Sequence, residues 1–107
     1  MTLSEAEVSS YKKIRLPPNT MVETFFTYIA LCSDQSFYVG ITNNIFNREK
    51  RHNAGHGSIY TRGRRPIKII YFEEYTTRKQ AAQRESQLKG WTRKKKILLI
   101  QGKLKNS

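Results

Sequence analysis

The sequence contains few of the residues on which several common kinds of site depend. Its 107 residues include one cysteine, two histidines and eight acidic residues, against twenty lysines and arginines. The single cysteine, Cys32, excludes an internal disulfide bond and any zinc site built from several cysteines. Because it ends an apolar segment, we expect a small buried thiol in a reducing compartment.

Long hydrophobic runs are also missing. No stretch approaches the roughly 18 apolar residues of a transmembrane helix. The N-terminal residues carry acids where a signal peptide has an apolar segment. We therefore expect a cytoplasmic protein with no membrane partner.

The scarcity of acids gives a net charge of +12, which is concentrated in one part of the chain. Residues 76–107 carry ten basic residues and one acid, Glu85, and so account for +9 of the total. Such a charge implies a nucleic acid or an anionic membrane surface as partner. The membrane alternative is the weaker one, because no amphipathic face of exposed Trp, Phe and Leu accompanies the charge. Trp91, in a Gly-Trp-Thr junction, is expected to be a structural anchor.

The length of the chain predicts one domain with a modest core. We assign residues 1–21, which end shortly after Pro17-Pro18, to an N-terminal extension or linker. Residues 22–103 form the predicted domain, and residues 104–107 form a tail.

Turn and cap residues divide this domain into elements in the order β-β-α-β-α-α. Thr42-Asn43-Asn44, Thr76-Thr77 and Thr92 are the predicted helix caps. The predicted segments are a strand over 23–32, a turn over 33–36, a strand over 37–42, a helix over 45–54, a basic loop over 56–65, a strand over 67–75, a helix over 78–89 and a last helix after residue 92.

The first two strands form a predicted hairpin whose register decides which side chains share a face. If paired residues have numbers with an even sum, one face is core and the other carries two phenols beside two small residues. That second face would leave a shallow concavity suited to a phosphate. The core face comprises Phe25, Ile29, Leu31, Phe37, Val39 and Ile41; the phenol face comprises Tyr28, Ala30, Tyr38 and Gly40.

Five residues supply the groups that cleavage of a phosphodiester needs: a base, a fixed cation, a proton carrier and a hard-metal ligand. Tyr28 and Tyr38 offer phenols, although a phenol needs help from a cation, a metal or a histidine to act as a base. Arg48 offers a planar fork for phosphate, and His52, one helical turn later, can carry a proton. Glu85 can anchor Mg²⁺, which takes one or two carboxylates and keeps several waters.

Each of these residues also has an ordinary structural interpretation. Glu85 can pair with a neighbouring Arg or Lys, and we weigh this equally with metal binding. Most arginines on small basic helices are solvated, most lone histidines are not catalytic, and paired strand tyrosines are usually structural. The ordered conjunction of all five favours catalysis.

This conjunction resembles the GIY-YIG endonuclease domain over residues 24–101. Phe26-Thr27-Tyr28 corresponds to the first motif and keeps only its tyrosine, while Tyr38-Val39-Gly40 nearly matches the second. The stretches 55–62 and 81–89 are similar to the small stand-alone bacterial branch, itself similar to the nuclease domains of Slx1-type and UvrC-type proteins.

The resemblance implies an α/β (α+β) fold, a three-stranded antiparallel sheet flanked by helices, that hydrolyses DNA with one divalent metal. It implies that Tyr28 orients or deprotonates water, Tyr38 supports it, Arg48 stabilises charge, His52 belongs to the same set and Glu85 holds Mg²⁺ or Mn²⁺. We expect branched, nicked or damaged DNA as substrate, a protein partner that supplies specificity, and a monomer or weak dimer. The alternative is a non-catalytic nucleic-acid-binding module of the same fold. Candidate nucleic-acid contacts are Lys50, Arg51, Tyr60, Arg62, Arg64, Lys89, Arg93, Lys94 and Lys95.

Overall fold

A computed structural model describes residues 23–104, which form one antiparallel sheet flanked by helices. The strands β1 (Phe25–Leu31), β2 (Phe37–Thr42) and β3 (Lys68–Tyr75) are arranged in the order β2-β1-β3. The helices are α1 (Ile45–Arg51), α2 (Ile59–Arg62), α3 (Arg78–Lys89) and α4 (Arg93–Ile100). The α+β class and the order β-β-α-β-α-α are confirmed, with α2 as an additional short helix. The predicted extension over 1–21, and the tail after residue 104, lie outside the described residues.

The register of the β1–β2 hairpin follows the predicted even sum. Tyr28 lies opposite Gly40, and Ala30 lies opposite Tyr38. The turn is closed by the Cys32 N–H, which donates to the Ser36 carbonyl at 2.9 Å. This register places Tyr28 and Tyr38 on one face of the sheet, as expected.

The prediction that only the opposite face would be core is wrong, because helices cover both faces. Tyr28 and Ala30 are buried in a cluster with Ile45 of α1. On the other face, Ile29 packs against Leu88 of α3.

The predicted concavity at Gly40 is also absent from the hairpin. The Tyr28 ring fills that space, since a Cβ added at Gly40 would lie 2.6 Å from the Tyr28 hydroxyl oxygen. Glycine at position 40 is therefore what lets the phenol lie against β2.

The predicted helix caps are present, but four element boundaries differ from prediction, two of them in β1, which covers Phe25–Leu31 instead of 23–32. Asn44, Thr77 and Thr92 each accept a hydrogen bond from the backbone N–H three residues later. α1 ends at Arg51 and is followed by a helical turn, His52–His56, that is kinked at Gly55, where φ is +90°. The third strand begins at Lys68 instead of residue 67.

The largest difference is α2, which forms inside the segment predicted to be a loop. The Ser58 side chain accepts a hydrogen bond from the Thr61 N–H at 3.2 Å and so caps this single turn. Four residues are too few to show helical periodicity, which is why the pattern of residues 56–65 favoured a loop.

Two polar contacts fix α3 on the sheet. The Thr27 hydroxyl donates to the Ala81 carbonyl at 2.8 Å. At the β3 edge of the sheet, Arg84 forms a two-pronged ion pair with Glu73, with N–O distances of 2.8 and 3.0 Å. These contacts determine where α3 presents Glu85. Within residues 23–104, no helix is both long and apolar enough to cross a bilayer.

Candidate active site

A buried chain of hydrogen bonds connects Tyr28 of β1 to α2 through His52. The Tyr28 hydroxyl lies 2.9 Å from His52 Nε2, and His52 Nδ1 lies 2.8 Å from the Thr61 hydroxyl oxygen. The Thr61 hydroxyl donates to the Ser58 carbonyl at 3.2 Å, so it accepts from His52 Nδ1–H. The Nε2 atom is then unprotonated and accepts the Tyr28 proton.

Burial determines the protonation of this pair. His52 is 2% exposed and Tyr28 is 1% exposed. Burial, followed by the positive charge of Arg48, lowers the pKa of His52, so its ring is neutral at neutral pH. Burial, followed by Tyr38, raises the pKa of Tyr28 well above its usual range; the charge of Arg48 opposes this shift and that of Glu85 adds to it. The resting pair is therefore a neutral phenol that donates to a neutral imidazole.

Tyr38 lies over this pair and is held by a stack of side chains. Its ring centroid is 6.2 Å from that of Tyr28 and 5.4 Å from that of His52. Tyr60 of α2 stacks on Tyr38 at 6.0 Å, and the Arg64 guanidinium covers the Tyr60 ring at 3.9 Å. The structure thus brings Tyr28, Tyr38 and His52 together and adds Tyr60 to the same cluster.

Arg48 supplies positive charge beside the two buried groups. It lies on α1 one turn before His52, and its charge acts on both Tyr28 and His52. Within residues 23–104 its side chain forms neither an ion pair nor a hydrogen bond. Its half-buried guanidinium therefore keeps its donors for a ligand.

Glu85 lies on α3, near enough to Tyr28 for its charge to act on the phenol. Its side chain is 22% exposed and pairs with Lys89, 56% exposed, at 3.2 Å. The part of the chain that the structure describes contains no group of three or more His, Cys, Asp or Glu side chains placed to bind a metal. The Glu85 carboxylate is accessible to water, and its partly exposed ion pair with Lys89 contributes little energy. These properties fit the binding of a hydrated divalent cation in place of Lys89.

Comparison with known sequences identifies the family of this chain. A family model described as GIY-YIG catalytic domain matches residues 24–97. The chain belongs to the GIY-YIG family. This membership places it in a nuclease superfamily.

Similar proteins include other small GIY-YIG chains. The UPF0213 protein of Haloquadratum walsbyi is 45% identical over 81 residues, covering 76% of this chain and 91% of the relative. The UPF0213 protein of Clostridium perfringens is 46% identical over 78 residues, covering 73% of this chain and 84% of the relative. A protein from E. faecalis, solved by NMR, is 34% identical and superposes with a TM-score of 0.53; the match covers 82% of this chain and 90% of that protein's chain.

The structure explains how this GIY-YIG chain departs from the first family motif. Phe26 packs edge-on against Phe72 in the core, with ring centroids 5.7 Å apart. Thr27 makes the hydrogen bond to α3 described above. The first two motif positions therefore serve packing, while the third places Tyr28 against His52.

Sequence analysis missed two residues that contact or crowd His52 in the candidate site, Thr61 and Gly57. Thr61 fixes the tautomer of His52, and a Cβ on Gly57 would overlap His52 Nδ1 and lie 2.7 Å from the Thr61 hydroxyl oxygen. The available signal was Ser58 three residues before Thr61, a helix-capping spacing.

The basic residues proposed to contact nucleic acid have varied surroundings. Arg51, Arg62 and Lys94 are exposed on α1, α2 and α4. Four others lie over aromatic rings and two pair with acids, with Arg64 making both kinds of contact, so the charge is partly held in fixed positions. The ring contacts are Lys50 on Phe46, Arg64 on Tyr60, Arg93 on Phe37 and Lys95 on Trp91; the ion pairs are Arg64 with Asp34 and Lys89 with Glu85.

Proposed function

We propose that this chain is a divalent-metal-dependent endonuclease that hydrolyses DNA phosphodiester bonds. The observation that carries the proposal is the hydrogen bond from Tyr28 to His52 Nε2, whose direction is set by Thr61. This contact gives the phenol a defined proton acceptor in a buried site beside a fixed cation.

The Tyr28–His52 pair solves the problem that burial creates for a phenol acting as a base. A raised pKa means that phenolate is scarce at neutral pH. As the attacking water forms its bond to phosphorus, the water proton passes to the Tyr28 oxygen. The Tyr28 proton passes at the same time to His52 Nε2, so no free phenolate is needed.

The remaining steps of the hydrolysis restore the pair. The P–O bond to the leaving oxygen breaks, and that oxygen takes a proton from solvent. The imidazolium of His52 then returns its proton to Tyr28, which releases one to water. Because the pKa of His52 is lowered, transfer of this proton from the imidazolium back to Tyr28 is favourable at neutral pH.

Arg48 and Tyr38 act on the phosphate in this proposal. The Arg48 guanidinium can donate to two phosphoryl oxygens and stabilise the charge that develops there. Tyr38, half-exposed over His52, orients the scissile group from the solvent side.

Glu85 would hold Mg²⁺ or Mn²⁺, with water and substrate phosphate completing the coordination. When bound, the metal supplies positive charge that activates water and neutralises phosphoryl oxygens. Metal binding at Glu85 would release Lys89 and make its ammonium group available to the DNA backbone.

The charge of the chain supports nucleic acid as the substrate. A net charge of +12 on 107 residues favours binding to phosphates. We propose branched, nicked or damaged DNA as the preferred form, with a protein partner that directs the enzyme to its site.

Cleavage of labelled duplex, nicked, flap and four-way DNA in Mg²⁺ or Mn²⁺ tests the proposal. We expect cleavage that is lost in EDTA and in Glu85→Ala, while Glu85→Ala still binds DNA. Glu74→Ala, which removes an exposed acid of β3, is the matched control and should cleave normally. Metal-dependent cleavage by Glu85→Ala would contradict the proposed mechanism.

One observation favours a second function, a non-catalytic nucleic-acid-binding module. The ion pair of Glu85 with Lys89 gives that carboxylate a structural partner. This alternative predicts salt-sensitive DNA binding that a chelator does not change, with no products from any substrate.

A further inference from the structure

The most exposed large apolar side chain among the described residues, Ile59, lies next to the candidate active site. It is 83% exposed and begins α2, the turn whose third residue, Thr61, hydrogen-bonds to His52. It contributes almost nothing to the core.

The turn that carries Ile59 is held rigidly against the site. Tyr60 stacks on Tyr38, and Arg64 lies over Tyr60 while donating to the Tyr60 carbonyl at 2.8 Å. Asp34, in the β1–β2 turn, pairs with Arg64 at 2.9 Å. The position of Ile59 relative to Tyr28 and His52 is therefore fixed.

The surroundings of Ile59 indicate what it touches. Residues 56–65 contain three arginines and no acid, and Arg62 is exposed on the same turn. Arg64 already pairs with Asp34, but a purely apolar partner would leave the charges of Arg62 and Arg65 without an acidic partner. A nucleic acid offers phosphates to these two arginines and base faces to the isoleucine.

We propose that Ile59 is a wedge that inserts between bases beside the scissile phosphate and unstacks them. Side chains such as Ile, Leu, Met and Phe separate base steps in this way in proteins that kink DNA. The inference rests on the proposed function for its substrate and assigns to Ile59 the selection of that substrate.

Selection follows from the energy of unstacking. A base in an intact duplex resists displacement, whereas a base at a nick, a mismatch or a single-stranded junction moves at lower cost. The wedge therefore favours substrates that are already distorted. Without it, that preference should disappear.

The test measures unstacking separately from cleavage. Duplexes with 2-aminopurine at a nick, at a mismatch or in an intact segment are titrated with the full chain in EDTA, and fluorescence and anisotropy are recorded. Wild type should raise the fluorescence at the nick and mismatch. Ile59→Ala should bind with nearly the same affinity and lose most of this rise, and Ile59→Met should restore it.

Cleavage in Mg²⁺ or Mn²⁺ provides the second readout. In Ile59→Ala the ratio of the nicked-substrate rate to the intact-substrate rate should fall about tenfold. Phe46→Ala should keep the wild-type ratio; it removes the second most exposed large apolar side chain of residues 23–104, which is 53% exposed. Thermal unfolding of each variant checks that the fold is unchanged.

The outcomes separate this inference from the proposed function. Unchanged fluorescence and an unchanged rate ratio in Ile59→Ala would overturn the wedge and leave the nuclease intact. Unstacking that depends on Ile59 without any cleavage by wild type would support the wedge and contradict the nuclease. A change in sedimentation on mutation of Ile59, with no change in fluorescence, would overturn the wedge in favour of an interface between copies of the chain.

Discussion

The Tyr28 hydroxyl contributes to stability and to the proposed proton transfer through one hydrogen bond. Tyr28→Phe leaves the buried Nε2 of His52 without a donor, which should lower the free energy of unfolding by about 1–3 kcal/mol. It also removes the proton relay, so the cleavage rate should fall by about 10²–10⁴. Urea unfolding and cleavage of nicked DNA measure the two effects.

Tyr71→Phe is the matched control for Tyr28→Phe. The Tyr71 hydroxyl donates to Glu73 at 2.5 Å, so its loss should also reduce stability, by about 1–2 kcal/mol. Because Tyr71 lies outside the candidate site, the Tyr71→Phe variant should cleave DNA at nearly the wild-type rate. Equal losses of cleavage in both variants would assign the Tyr28 effect to stability alone.

His52 gives stability and activity a shared dependence on pH. Its folded pKa lies below the ordinary value of about 6.5, so the unfolded chain binds the proton more readily. The contribution of His52 to stability is complete above the unfolded pKa of about 6.5 and is lost as the pH falls through the folded pKa. Cleavage should fall in the same direction, because a protonated ring accepts no proton from Tyr28.

Unfolding in urea across this pH range checks the contribution of His52. His52→Gln should flatten the dependence of stability on pH, while His56→Gln, at an exposed position, should keep the wild-type profile. An unchanged profile in His52→Gln would show that another group is responsible.

The kinked turn His52–His56 and α2 depend on the absence of a side chain at Gly57. In Gly57→Ala the Cβ would overlap His52 Nδ1, so the turn must shift and the hydrogen bond to Thr61 should break. We expect a loss of about 1–3 kcal/mol in stability, together with reduced cleavage.

Gly63→Ala provides the control for this prediction, because a Cβ there meets no atom within 4 Å. Its fold and activity should match wild type. The Nδ1–H resonance of His52, observed by NMR, reports directly on the Thr61 contact and should change only in Gly57→Ala.

The elements that sequence predicted well are those with local signals. Asn44, Thr77 and Thr92 mark their helices because a capping side chain bonds within its own first turn. α2 also has a capping residue, Ser58, but its single turn is too short to show helical periodicity and is held by tertiary contacts of Tyr60 and Thr61. The burial of Tyr28 was missed for the same reason: the strand pattern does not show that α1 covers that face.

α3 depends on Glu73 for its position on the sheet. Glu73 accepts hydrogen bonds from Arg84, Tyr71 and Tyr75, and its pKa lies below the usual range because these donors outweigh its burial. Glu73→Gln removes the negative charge that pairs with Arg84, so we expect the free energy of unfolding to fall by about 2–4 kcal/mol. Cleavage should also fall, since α3 carries Glu85.

Glu74→Gln, at the exposed neighbouring position of β3, is the control and should change stability by less than about 0.5 kcal/mol. Chemical denaturation of the two variants makes the comparison. A small effect of Glu73→Gln would mean that Thr27 and the apolar contacts hold α3 without the ion pair.

The candidate site is formed by side chains from four elements that are distant in the sequence. β1 and β2 supply the tyrosines, α1 supplies Arg48 and leads into His52, and α3 supplies Glu85. The order of residue types predicted this set, because each type suits one part of phosphodiester cleavage. The hydrogen-bond directions and the role of Thr61 required the three-dimensional arrangement.

The net charge makes a prediction about binding that holds for both candidate functions. If six to ten basic residues contact phosphates, the affinity for DNA should fall about 10³–10⁵-fold between roughly 50 and 200 mM salt. Lys94→Gln, at an exposed position of α4, should reduce the slope of log K against log salt by about one. Lys103→Gln, exposed beyond α4 and outside the proposed contacts, should leave the slope unchanged. The slope depends on the number of phosphate contacts and does not depend on catalysis. Equal slopes for both variants would therefore show that the DNA does not pass over α4, whatever the cleavage assays show.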